Sequence, residues 1–563
     1  MAPSTPEGVR VQAFCWQNFA QMREMKKLSG IILCLIALNN PTAAQSVTGD
    51  LGKNQGDTQE QVLHVLNRLG YGPRNGDIER VSRMGVNAYI DEQLHPQTIP
   101  LPNTLSQRLE TLQTQGETTG ELLDEFISAR KEAKRDTEDA KKRARQVIAT
   151  IAEQTAEARL ARAIDSPRQL EEVMVDFWFN HFNVYAQKGL VRAFIPSYER
   201  DAIRPFVFGN FADMLLATAK HPAMLFYLDN WMSTSADYAP HVRPGRRFSI
   251  SPAKVKNHGL NENYAREVME LHTLGVDAGY TQKDVTELAR ILTGWGFNQR
   301  QLTQSNVQFT FNSDAHDRGT KVWMNHNIRA AGQSEGEAAL KLLAMHPATA
   351  RHLSTKLVQY FVNDIAPPAL VDRLATVYLE AKGEIRPVLK ALFTSPEFMD
   401  QANVGVKYKT PYQFVVSSAR ATGLPILNIR PLLGTLTQLG MPLYGCPTPD
   451  GYKNTETAWL NPDAVTRRIN FATALASGRL PVDRPMDGNE AMRIGKKQLE
   501  RKDDVAKVAS MPTQTWRNSA LDANGLLQTL GTTISAPTLQ IIADNNETLR
   551  AALVLGSPDF MRH

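Results

Sequence analysis

Cysteine is almost absent: three residues in 563, which excludes a disulfide scaffold. Charge of one sign is also scarce. The net charge is +5, far from the strongly basic surface that nucleic acid demands, so no nucleic-acid partner is expected. Beyond residue 44 no apolar run approaches the ~18 residues of a membrane span, so no integral membrane segment is expected in the mature chain. Phosphate-binding glycine loops, the Gly-x-Ser-x-Gly elbow, dinucleotide fingerprints and the His-Glu-x-x-His zinc pattern are all missing. With 42% hydrophobic residues the chain has ample core material, which excludes collagen-like, mucin-like and wholly disordered classes.

The N-terminus carries a targeting pattern. Lys26 and Lys27 precede a mostly apolar run from Leu28 to Leu38, and Thr42 and Ala44 suit positions −3 and −1 of a cleavage site. The pattern predicts a signal peptide within residues 1–44, too short for a permanent anchor, and a periplasmic or secreted mature protein. Residues 1–21 have no role in it, which points to a true start at Met22 or Met25. The competing reading is a cytosolic chain with a buried apolar N-terminal helix. Cys34 follows bulky Leu33 and is no lipobox cysteine. Loss of residues 1–44 removes Arg10, Arg23, Lys26 and Lys27 against Glu7 and Glu24, taking the charge from +5 to +3. It leaves Cys446 alone, a residue read more readily as a small buried hydrophobe than as a nucleophile.

The fold is expected to be mainly α, a large multi-helix globular protein. Residues 57–95 predict two short amphipathic helices around Gly70-Tyr71-Gly72-Pro73. Residues 119–164, rich in Ala, Glu, Lys and Arg, predict a long solvated helix or a helical hairpin arm supported by opposite charges three and four apart. Ser166-Pro167-Arg168-Gln169 reads as a helix start. Alternation at Val307, Phe309 and Phe311, the turn 314–319 and Lys321-Val322-Trp323 predict a small β-hairpin insertion near 306–324. Residues 385–399 and 547–561 share an apolar helix ending in Ser-Pro-acid-Phe-Met, one helix–turn solution used twice. The expected division is 57–165 (N-terminal helices with the charged arm), 166–400 (central helical core) and 401–563 (C-terminal helical part).

Two helices carry polar chemistry. In 167–184, Gln169, Glu172, Asp176, Asn180 and Asn183 form a stripe about 80° wide on an otherwise apolar helix. Such a helix is buried, so the stripe needs partners. His181 lies on another side and reads as a hydrogen-bonded core histidine. In 261–275, Asn263, Glu262, Arg266, Glu267, Glu270 and Thr273 share one face, with Arg266 four residues from both Glu262 and Glu270. Glu270 and His272 point about 160° apart on an ideal helix, so a divalent metal is possible but not favoured there, and no cofactor is assigned. Burial of the first stripe predicts that Asp176 or Asn180 reaches Asn261, Asn263 or Arg266. His316 and Asp317, in the turn with Asp314 and Arg318, are further candidates, weighed against ordinary turn chemistry.

Ordered blocks over nearly all of 60–563 resemble the exported bacterial family known as domain of unknown function 1800. They include VLHVLNRLGYG (62–72), FWFNHFNV (177–184), HPAMLFYLDN (221–230) and, most specific, NENYAREVMELHTLGVDAGYTQKDV (261–285). AHDRGTK (315–321), HPATARHLSTKLVQYFV (346–362), PTPDGY (447–452), WLNP (459–462) and the closing GSPDF follow. The resemblance implies a mostly helical fold and export. It supplies no reaction. Members often sit beside genes for a second exported, sulfatase-like family, which implies a shared pathway or complex.

Two readings follow. One is an extracytoplasmic enzyme or enzyme subunit of unknown reaction, acting on a polymer or small ester, with a carboxylate/arginine centre of Glu262, Arg266, Glu267 and Glu270 near Asp176 and Asn180. The alternative is a non-catalytic extracytoplasmic binding or assembly protein whose polar cluster is structural. N-terminal sequencing of the native protein is expected to find a chain beginning at or near Gln45 in an extracytoplasmic fraction. A cytosolic chain beginning at residue 1 or 2 would refute export.

Overall fold

The computed structural model describes residues 57–134, 137–238, 259–484 and 520–563. The targeting pattern in 1–44 lies outside them. The chain is mainly α, and its strands form two small two-stranded antiparallel sheets among the described residues. The described residues cluster into two compact units, those within 57–86, 404–440 and 455–563, and those within 87–403 and 441–454. These units follow contact and are discontinuous, whereas the division read from composition is consecutive.

The first unit starts with a capping box. Thr58 accepts from the backbone of Gln61 and opens helix Gln59–Arg68, whose Val62, Val65 and Leu66 are buried. Three helices, not two, occupy 57–95, the last of them almost wholly in the second unit, because Gly76 and Gly85 sit at φ +86° and +87° and interrupt the pattern. Helix Pro462–Ala476 packs on helix Glu547–Leu555. Between such elements lie cations paired by rings instead of acids. The Arg468 guanidinium, fully buried, donates to the Lys409 carbonyl at 2.7 Å and lies over Tyr408 and Phe414. The Lys409 ammonium donates to Ser417 at 2.8 Å and sits 4.1 Å from the Phe560 ring centre.

The second unit contains the charged arm as a helical hairpin, Thr119–Glu132 and Glu138–Asp165, tied by Arg143 to Glu132 at 2.8 Å. Only its tip is solvated. From Ile151 to Ile164 the second helix is largely buried, because Ile, Leu and Ala return there. Ser166 accepts from the Arg168 backbone at 3.1 Å, and the next helix begins later than expected, as Gln169–His181. The strand segments are as expected but pair differently. Thr310–Phe311 joins Trp295–Gly296, and Lys321–Trp323 joins His326–Ile328. Met324 and Asn325 both have positive φ, which suits a tight two-residue hairpin and draws 321–323 away from 310–311. The repeated Ser-Pro step is one solution in both units: Ser395 accepts from Phe398 N–H and Ser557 from Phe560 N–H.

Burial, reinforced by Arg468, pulls Lys409 down from 10.5 to about 7. The charged form is therefore disfavoured in the fold. Below about pH 7 the lysine is protonated in both states and its burial penalty is fully present. The penalty fades as pH rises toward 10.5, where the unfolded lysine also loses its proton. Lys409→Met is expected to raise the denaturant midpoint at pH 6–7, with a gain that shrinks toward pH 10. A pH-independent difference would contradict this.

Candidate functional site

Helix Gln169–His181 buries ten of its residues, including Leu170, Met174 and Trp178. Its polar stripe is fully supplied. Gln169 donates to the Ala163 and Ser166 carbonyls. Glu172 takes both Arg204 nitrogens at 2.8 and 3.0 Å, and Asp176 takes Arg159 at 2.5 Å. Asn180 bridges the backbone of Tyr452, donating to its carbonyl and accepting from its N–H, each at 2.7 Å. Asn183 donates to the Cys446 and Thr448 carbonyls. Gly451 makes the Asn180 bridge possible: its φ is +68°, and a Cβ there would lie 2.3 Å from the Asn180 carbonyl oxygen.

The stripe therefore finds partners, but not those expected from ideal-helix angles. Asp176 and Asn180 do not bond Asn261, Asn263 or Arg266. Two arginines from upstream and downstream helices and the 446–452 loop reach the stripe first. Arg159 and Arg204 also grip Glu199 at 3.0 and 3.1 Å, and the Tyr444 hydroxyl donates to it at 2.8 Å. Burial alone would raise the Glu199 carboxyl, yet these partners hold it down to about 2. A void of about 20 Å³ beside Glu199 has room for one water. This network is paired throughout and holds helices together.

The residues of 261–275 divide. Asn261 donates to the Asp229 carbonyl and Asn263 to the Leu228 carbonyl. Glu262 accepts from Thr286 and Gln282, each at 2.7 Å, and Arg266 donates to Gln282 at 2.7 Å. Arg266 lies 3.5 Å from Glu262, with the two side chains 39% and 33% exposed, and forms no ion pair with Glu270. These four residues clip neighbouring segments together. Glu267 and Glu270 turn toward other groups. Tyr280 donates to Glu270 at 3.4 Å. Burial raises the Glu267 carboxyl, with Glu270 and Asp450 adding to it against Arg266.

Helix Asn263–Glu267 runs into a π-helical turn, Val268–Thr273. Leu274 N–H bonds Met269 O, and the Thr273 hydroxyl bonds Val268 O at 2.6 Å. His272 points into the interior, 1% exposed, while Glu270 is only partly buried. The turn presents the Leu271 and His272 carbonyls at the helix end, where they need donors. His352 Nε2 bonds Leu271 O at 3.2 Å and His181 Nε2 bonds His272 O at 3.0 Å. Since Nε2 of His181 must donate, its Nδ1 carries the lone pair, and the Lys356 ammonium donates to it at 3.2 Å. The His181 ring lies 6.0 Å from His272 and 6.5 Å from His352.

Electrostatics follow from this burial. Burial lowers all three imidazoles, aided by Lys356: His181 falls well below its ordinary value, His272 to about 3 and His352 to about 4. Burial and then Lys453 pull Lys356 down to about 8, with Asp450 opposing. Asp450 pairs with Lys453 at 2.7 Å. His272 Nε2 is buried without a partner. Three neutral imidazoles and a softened lysine thus meet at one place, with the Asp450 carboxylate acting electrostatically on the lysine and on Glu267. His352 and Lys356 are four apart on helix Pro347–Phe361, a same-face spacing that would have marked them in the sequence.

The secondary candidates are held structurally. His316 is buried between the Thr293 carbonyl at 2.9 Å and Glu335 at 3.1 Å, with Lys321 on Glu335 at 2.8 Å. Asp317 takes Arg290 through two bonds at 2.7 and 3.1 Å. The Cys446 thiol is buried and lies 3.6 Å from the Thr448 hydroxyl. Among the described residues no group of three or more His, Cys, Asp or Glu side chains is placed to hold a metal ion. In the histidine cluster, Nε2 of His181 and of His352 are committed to carbonyls.

A family model described as "Protein of unknown function (DUF1800)" matches residues 64–562. No curated protein and no solved structure matches the chain.

The contrast between the two arginines is testable by denaturant unfolding. Arg159→Ala takes the arginine from buried Asp176 and leaves Glu199 with Arg204 and Tyr444 alone, and is expected to cost about 3–5 kcal/mol. Arg266→Ala, at a partly exposed site, is expected to cost about 0.5 kcal/mol. Equal losses would contradict the division into a buried structural network and a surface clip.

Proposed function

The chain belongs to the DUF1800 family, and we propose that it is an exported enzyme or enzyme subunit acting on an extracytoplasmic polymer or small ester, in partnership with a sulfatase-like protein. Export rests on the pattern in residues 25–44, and the partner on the family resemblance. The enzyme reading is carried by one observation: the Lys356 ammonium, largely withdrawn from water, faces the lone pair of a histidine whose tautomer is fixed by a backbone carbonyl. A lysine pulled down to about 8 is partly neutral near neutral pH. It then has the lone pair of a general base or nucleophile. Asp450 acts electrostatically on both Lys356 and Glu267, whose carboxyl burial raises. The centre is thus lysine and carboxylate in place of arginine and carboxylate. Glu267 and Glu270 stay with it, while Glu262, Arg266, Asp176 and Asn180 position the surrounding segments.

The paired network around Arg159 and Glu199 favours the second reading, an assembly or binding protein with structural polar clusters. Assay of the purified mature chain against extracytoplasmic esters and polysaccharides, alone and with the sulfatase-like partner, separates the two. The enzyme reading expects activity that rises with pH through about 8, as Lys356 loses its proton. It also expects loss of about a hundredfold or more in Lys356→Met, with an unchanged or higher melting temperature. Partner binding without turnover, unaffected by Lys356→Met, would leave the assembly reading.

A further inference from the structure

A second feature of the same unit lies outside the lysine centre. The segment 231–234, the strand pair Trp295–Gly296 with Thr310–Phe311 and the residues after it enclose an open groove of about 510 Å³, within the range of about 300–1,000 Å³ for small-molecule sites. Among the described residues, none that lines it is Asp, Glu, Lys, Arg or His. Its lining combines aromatic rings (Trp231, Phe297, Phe311) with amides (Asn298, Gln301, Asn312) and small hydroxyl side chains.

The groove is built to hold its shape. Trp231 is 41% exposed although large and apolar. Phe226 stacks on it at 5.6 Å and 13°, and Phe297 lies 6.0 Å away, so the indole plane is fixed and its remaining surface is presented outward. Gly294 donates to the Ser233 carbonyl at 3.1 Å and accepts from Asn312 at 2.8 Å. With φ +79° and a would-be Cβ only 2.4 Å from the Asn312 carbonyl, no other residue fits there. Asn298 Oδ1 accepts from the Arg300 and Gln301 backbones and Asn312 Oδ1 from Asp314. Each amide is thereby oriented, with its NH2 donors left for a ligand.

We propose that this groove binds a neutral oligosaccharide. A sugar ring presents an apolar C–H face and a rim of hydroxyls that both donate and accept. A fixed flat indole beside oriented amides matches both. Phosphorylated, sulfated or carboxylated ligands bring charges that this lining does not answer. The inference stands apart from the lysine centre, so Lys356→Met keeps the binding, and failure of either reading leaves the other standing.

The test is calorimetric titration of the full mature chain with neutral hexasaccharides of glucose (β-1,3, β-1,4 and α-1,4), mannose and N-acetylglucosamine. Heparin and polygalacturonate oligosaccharides serve as the anionic set. At least one neutral chain is expected to bind, with an affinity unchanged by added salt. Trp231→Ala is expected to weaken it about tenfold and Trp231→Phe to retain part of it, both with the circular-dichroism spectrum of the parent chain. Binding by anionic chains alone, by none of the sugars, or equally well by Trp231→Ala overturns the proposal.

Discussion

The burial of helix Gln169–His181 is the constraint on which the second unit depends. A helix with almost no face toward water must have every polar side chain answered from inside. That requirement draws Arg159 and Arg204 onto Glu172 and Asp176, and the 446–452 loop onto Asn180 and Asn183. It also fixes the helix end, where His181 caps the π-helical turn. The same helix thereby joins a closed ionic network to a more open cluster that includes Lys356.

The two polar centres differ in what is left over. Around Glu199, each of the three acids Glu172, Asp176 and Glu199 is bonded by Arg159 or Arg204. Around Lys356, two imidazole donors are committed to carbonyls and the lone pair of His181 accepts from Lys356, while the buried Nε2 of His272 has no partner. The first unit shows a third solution, in which Lys409 and Arg468 are surrounded by rings and carbonyls. There the burial penalty is offset by stacking, and the lysine is softened without a carboxylate.

The fold class was legible because helical periodicity survives burial: the charged arm, the apolar 169–181 helix and the Ser-Pro steps all lie where their patterns put them. The stripe at Gln169, Glu172, Asp176, Asn180 and Asn183 was legible too, together with its need for partners. The partners were not. Tyr452 lies 272 residues from Asn180, and no local pattern specifies which arginine a buried aspartate will meet. The contact expected between the stripe and Asn261, Asn263 or Arg266 did not form, because Arg159 and the backbone of Tyr452 take Asp176 and Asn180, while Asn261, Asn263 and Arg266 are used by neighbouring segments. His352 and Lys356 had a readable spacing, but on a helix with little else to set it apart. The strand pairing near 310 turned on two positive-φ residues, Met324 and Asn325, that composition does not announce.

The central claim is that the histidine-capped turn holds Lys356 in a site that favours its neutral form. The direct measurement is the pH dependence of Lys356 acylation in the intact protein, followed by mass spectrometry of its peptide. The account predicts a midpoint at about 8. A midpoint at 10.5, the ordinary lysine value, would contradict it.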